Sequence, residues 1–163
     1  MLHHAALVAL LGAVLAQSAP LTKWDPDAAG QDADEELADI QARIDRGDLP
    51  KIEFDLDSSK LREAGFQVIE LISDLMKRNP RLKLRITAHT CAIGTRDYNM
   101  ILSRARAKSV KEALVKAGVP PPSIRYLGRG PDQPIESNRT EEGREKNRRV
   151  EFHLLKRGWS SIY

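Results

Sequence analysis

Two residue types that often carry chemistry or stacking are scarce in this chain: it has one cysteine, Cys91, and aromatics make up 5% of its 163 residues. A lone cysteine excludes an intrachain disulfide, and no thiol follows the N-terminal apolar run to accept a lipid. The few aromatics are not interleaved with the basic residues, which argues against nucleic acid as a partner, because unstacked bases need rings to rest on. Long apolar runs are missing as well. The one candidate, Ala5 to Leu15, is too short to span a bilayer comfortably. It has signal-peptide length, with Val14 and Ala16 where a signal peptidase reads small residues, so residues 1–16, or up to 19, are expected to direct export. His3 and His4 stand where Lys or Arg is usual, which leaves an uncleaved interfacial anchor as the alternative.

What is present is ordinary in amount and uneven in placement. Hydrophobic residues are 41% and charged residues 30%, enough for one domain of common size. Asp25 to Asp48 holds nine acidic residues against Arg43 and Arg46, whereas Lys51 to Tyr163 carries 23 Lys and Arg against 14 Asp and Glu, a net of +9. Residues 17–50 therefore read as an acidic linker, with a short helix over 35–44 suggested by Leu37, Ile40 and Ile44, and residues 51–157 as a basic domain followed by a tail, 158–163. A basic domain can meet an anionic lipid or cell-wall polymer, and export weakens the case for nucleic acid further.

The domain is punctuated clearly. Ile52 to Leu56 alternates apolar and charged residues as a strand does, and Asp57-Ser58-Ser59 reads as a helix N-cap cluster before apolar positions from Leu61 to Met76. Asn79-Pro80 stops that helix. Leu82 to Ala88 alternates strictly, Ile124 to Gly128 reads as another strand, and Arg149 to Leu154 as the last, after a helical turn at Glu141 to Glu145. Between them a helix from Tyr98 to Ala117 ends at Gly118, before Pro120 to Pro122. The order β-α-β-α-β-(short α)-β predicts an α+β sandwich with two main helices on one face of a mixed sheet.

The third segment carries a site signal. At about 100° per residue, Tyr98, Leu102, Val110, Ala113, Leu114 and Ala117 gather on one helix face, and Asn99 and Arg106 fall within roughly 20° of each other in its middle. A guanidinium aimed inward cannot shed its charge and needs a partner. His89 and Cys91, two apart at a strand end, can face one side, but a lone H-x-C lacks the further ligands of a zinc site. A Cys-His nucleophile would also need an oxyanion site, which the sequence does not offer. No metal, cofactor or catalytic residue is therefore expected.

Across residues 52 to 155 the stretches I-E-F-D-L-D-S-S-K-L, A-H-T, G-T-R-D-Y-N-M-I-L-S-R-A-R-A-K-S-V, P-I-E-S-N and E-G-R-E-K-N-R-R-V-E stand in an order that resembles the OmpA-like peptidoglycan-binding domain, shared by OmpA proteins, the peptidoglycan-associated lipoprotein and flagellar stator proteins. The resemblance implies an exported, non-enzymatic module of the periplasm or outer membrane. It would hold the peptidoglycan stem peptide non-covalently, through diaminopimelate, at Asp57, Cys91, Asn99, Arg106 and Arg148. Arginine forks suit stem-peptide carboxylates. One position departs: where the family writes glycine-histidine-threonine-aspartate, this chain writes Ala88-His89-Thr90-Cys91. A thiol is a weak hydrogen-bond partner and no substitute for a carboxylate, so the alternative is a degenerate scaffold that contacts outer-membrane or other envelope proteins.

Overall fold

The computed structural model describes residues 26–155. The expected signal peptide and the tail at 158–163 lie outside them. Seven main elements follow in chain order: helix α1 (Pro26–Arg46), α2 (Phe66–Arg78), strand β1 (Lys83–His89), α3 (Arg96–Lys116), β2 (Ile124–Gly130), α4 (Glu141–Asn147) and β3 (Val150–Leu155). The strands form one mixed sheet in the order β2-β1-β3, with β1 parallel to β2 and antiparallel to β3. The mixed α/β architecture matches the expectation. Its core is the face of β1 that bears Leu84, Ile86 and Ala88, packed with Val68, Ile69, Ile72 and Leu75 of α2 and with Ala107, Val110 and Leu114 of α3.

Three local readings change. Ile52 to Leu56 does not extend the sheet: Phe54 makes a single antiparallel bridge with Leu61. The segment turns back on residues 60–62 instead, with Asp55 N–H donating to Lys60 O and Arg62 N–H to Glu53 O. The turn requires Asp57 to adopt a φ of 53°, a left-handed conformation that aspartate tolerates better than most residues. The expected N-cap is also different. Ser58 Oγ accepts from Lys60 N–H in a local turn, a 3-10 turn occupies Glu63–Gly65, and α2 begins at Phe66 without a side-chain cap. Third, the segment read as acidic linker is helical from Pro26 to Arg46, well beyond 35–44. Ala33, Leu37, Ile40 and Ile44, at helical spacing, join the core, and Glu36 pairs with Arg78 of α2 at 2.5 Å.

Helix α3 is seated by β2. A Cβ at Gly128 would stand 2.3 Å from Arg104 N and 2.5 Å from Ser103 Oγ, so only a residue without a side chain lets the helix backbone approach this closely. That contact rotates the helix: Asn99, Ser103, Ala107, Val110 and Leu114 are buried, while Tyr98, placed by periodicity on the apolar face, is 44% exposed. Gly128→Ala should therefore cost about 1–3 kcal/mol by forcing α3 off the sheet. A thermal melt tests this, and an unchanged midpoint would show that the contact is not as tight as described. At the far end Gly118, with φ of 103°, terminates the helix as expected.

Candidate functional site

A cleft of about 350 Å3 opens at the C-terminal end of β1, between the turn at residues 52–57 and helix α4. Asp57, Arg106 and Arg148 line it together with His89, Glu141 and Glu145. A larger depression of about 560 Å3 between α1 and β3 adjoins it through Ile52, Glu145, Arg148 and Arg149. Cys91 is buried at the edge, with Arg148 Nη1 3.7 Å from its Sγ. Four of the five residues anticipated from sequence are thus gathered in one place.

The guanidiniums of the cleft differ in what they are free to do. Arg106 is half-buried on the inner side of α3; its Nε donates to Ser58 O at 2.9 Å and its plane lies over the Phe54 ring, 5.0 Å from the centroid. It makes no ion pair with a described residue, so the fork of its two Nη groups is uncommitted. Burial lowers its pKa from the ordinary guanidinium value, against the pull of Tyr98 and Asp57, but a guanidinium remains charged at any physiological pH. Arg148 is spoken for. Its Nε donates to Glu145 Oε2 at 3.0 Å and its Nη2 to Glu141 Oε1 at 2.6 Å and to Glu145 as well. Burial opposes its charge, yet those hydrogen bonds outweigh burial and raise its pKa. Glu141 is shared with Arg144, whose Nη2 lies 2.6 Å from Oε2, and the two arginines hold its carboxyl below the usual range.

On the opposite wall Asp57 accepts a hydrogen bond from Tyr98 OH, which raises the phenol's pKa. Asp57 has no ion-pair partner among the described residues. The cleft therefore presents one uncommitted cation, Arg106, and one uncommitted anion, Asp57, beside a thiol and a set of internally compensated pairs. That pattern suits a zwitterionic group.

Asn99 has a different place. It is 4% exposed, and its Nδ2 donates to Ile93 O at 2.7 Å and Thr95 O at 3.1 Å, which fixes the loop entering α3. Thr95 caps the same helix end by accepting from Tyr98 N–H at 3.3 Å. The sequence reading missed Tyr98, Glu141 and Glu145; the i, i+3 relation of Glu145 to Arg148 was the available signal. His89 is 2% exposed, neither ring nitrogen has a hydrogen-bond partner, and Nε2 lies 3.6 Å from Glu151 Oε2, beyond hydrogen-bond reach. Burial, then the charge of Arg149, pushes its pKa down, so it is neutral near pH 7. Among the described residues no group of three or more His, Cys, Asp or Glu is placed to hold a metal ion.

Comparison with known proteins identifies the fold that carries this cleft. Residues 53–148 match the OmpA family. The chain is 40% identical over 103 residues to the probable lipoprotein YiaD of Escherichia coli, covering 63% of this chain and 47% of that one. It is 37% identical over 123 residues to the peptidoglycan-binding protein ArfA of Mycobacterium bovis, covering 76% of this chain and 38% of the relative. The chain thus spans about half or less of these relatives. Among solved structures, the peptidoglycan-associated lipoprotein of Burkholderia pseudomallei superposes with a TM-score of 0.61 at 25% identity, over 64% of this chain and 89% of that one. The cleft, the elements that build it and the match over residues 53–148 lead to one conclusion: the chain belongs to the OmpA family.

Proposed function

We propose that this protein is an exported, non-enzymatic module that binds the stem peptide of peptidoglycan, of the diaminopimelate type, on the periplasmic side of the outer membrane. The observation that carries the reading is the uncommitted fork of Arg106 in a cleft whose other free charge is Asp57. Arg106 takes the ligand carboxylate in forked hydrogen bonds, and Asp57 takes the ammonium. Asn99 and Arg148 shape the site, the first through the loop at 93–95 and the second through α4. Cys91 fills the position beside Arg148, whose Nη1 lies 3.7 Å from its Sγ. The names of the two relatives, a peptidoglycan-binding protein and a peptidoglycan-associated lipoprotein, support the wall as partner. Co-sedimentation of the protein with purified diaminopimelate-type sacculi tests the reading; a chain that stays in the supernatant at low salt refutes it.

A second reading follows from Cys91, which is 7% exposed and offers no carboxylate to the cleft. In it the fold is retained as a scaffold for another envelope protein. Cys91→Asp separates the two. If the natural chain binds the wall, the added carboxylate should tighten binding about tenfold, the worth of one charge-assisted hydrogen bond. If only the variant sediments with sacculi, the scaffold reading stands.

A further inference from the structure

The sheet has a second face, and no function assigned so far uses it. Leu84, Ile86 and Ala88 turn into the core, so Lys83, Arg85, Thr87 and His89 of β1 lie on the other side. The pairing register sets Arg125 of β2 and His153 of β3 directly beside Arg85, and Leu127 and Glu151 beside Thr87. Like charges placed directly opposite one another on a sheet weaken it. Here basic side chains form a line across all three strands.

Among the described residues, little on this face offsets Lys83, Arg85 and Arg129. Its carboxylate, Glu151, is already engaged by Arg149 at 2.6 Å and His153 at 3.3 Å. Lys83, Arg85 and Arg129 make no ion pair with a described residue, and Arg85 Nε is enclosed without a hydrogen-bond partner. Arg129 is exposed beside the bulge that joins β1 and β2. Thr87 and His89 are buried at one end of this face, so its exposed part is formed by Lys83 and Arg85 of β1 beside Arg125, Leu127 and Arg129 of β2. Among the described residues the face carries no Phe, Tyr or Trp to serve as the stacking platform a single-stranded nucleic acid needs. On the edge strand β2, between Arg125 and Arg129, Leu127 is 37% exposed. Arginine forks match phosphate oxygens, and an exposed group of them beside the apolar Leu127 complements a plane of phosphate headgroups.

We propose that the open face of the sheet docks on an anionic phospholipid surface through Lys83, Arg85 and Arg129, leaving the cleft free for its own ligand. Each basic residue near such a surface should strengthen partition about fivefold, and salt should reverse it. The test is sedimentation of the full chain with vesicles of phosphatidylglycerol mixed with phosphatidylcholine, against phosphatidylcholine alone. Any contribution of residues 5–15 is common to the natural chain and its variants, so the charge-dependent binding that the variants lose reads the sheet face.

Binding to the anionic vesicles is expected to exceed the neutral control by about a hundredfold, and that excess to vanish at high salt. Arg129→Gln, at an exposed position, should weaken it about fivefold and Arg85→Gln/Arg129→Gln about 25-fold. Lys108→Gln, on the outer side of α3, should change nothing. Equal binding to both vesicles, or a double variant that binds like the natural chain, overturns the proposal. So does retention on heparin through the same arginines without vesicle binding, which would assign the face to a soluble polyanion.

Discussion

Arg106→Ala is expected to reduce binding to sacculi by at least about thirtyfold, the low end of what truncating one member of a desolvated charge pair costs. The argument rests on what surrounds the guanidinium. Its Nε is anchored on Ser58 O and its plane on Phe54, so the two Nη groups are held in place before any ligand arrives. Pre-organisation of this kind removes the entropy cost that a free arginine would incur on binding. Arg106→Lys keeps the charge but loses the fork and the stacked plane, and should fall between the two, about tenfold down. Because alanine also removes an internal hydrogen bond and a ring contact, a thermal melt must accompany the measurement. The lysine variant guards against reading instability as lost affinity. If Arg106→Ala sediments with sacculi as the natural chain does, the cleft is not the binding site.

The route by which Arg106 could be singled out shows what a sequence can carry and what it cannot. Helical periodicity alone sets Asn99 and Arg106 on the inner side of α3, and the structure finds both there, one buried and one half-buried. The same periodicity misplaces Tyr98, because a hydropathy pattern does not know that Gly128 draws the helix backbone against β2 at Ser103 and Arg104. The phenol turns out and meets Asp57, 41 residues earlier in the chain, a pairing that no local rule reveals. Helix α1 was hidden for the opposite reason. Its acidic surface looks like a solvated spacer, and one of its four core residues is alanine, which carries little hydropathic signal. The strand at Ile52 to Leu56 was visible as alternation, but alternation reports an extended backbone and not its partner. Arg148 shows the same limit at the level of charge: spacing on α4 marks Glu145 as a neighbour, while the second carboxylate, Glu141, closes the pair from seven residues away.

Asn147→Ala should be the most damaging single change to stability, at about 2–4 kcal/mol, with loss of wall binding following from it. Asn147 is fully buried inside a run that otherwise reads only as basic. Its Oδ1 accepts from Ile135 N–H at 2.8 Å and Glu136 N–H at 3.0 Å. Its Nδ2 donates to Glu136 O at 2.8 Å and to Asn138 Oδ1 at 3.1 Å. Four bonds from one amide hold the loop at residues 135–138 onto α4. Gly143 completes the seat, since a Cβ there would stand 2.0 Å from Ser137 O. The loop in turn reaches the cleft, because Asn138 Oδ1 also accepts from Ala92 N–H at 3.0 Å, beside Cys91. Alanine at 147 leaves two amide hydrogens and a carbonyl without their partner and opens a void, and water at the exposed loop recovers only part of that loss. Asn147→Asp keeps the acceptor, loses both donors and buries a charge, so it should be no milder. A urea titration of the three proteins measures the effect. A midpoint for Asn147→Ala equal to that of the natural chain would mean that the loop is held by α4 packing alone, and that the Asn147 amide does not hold residues 135–138 against the cleft.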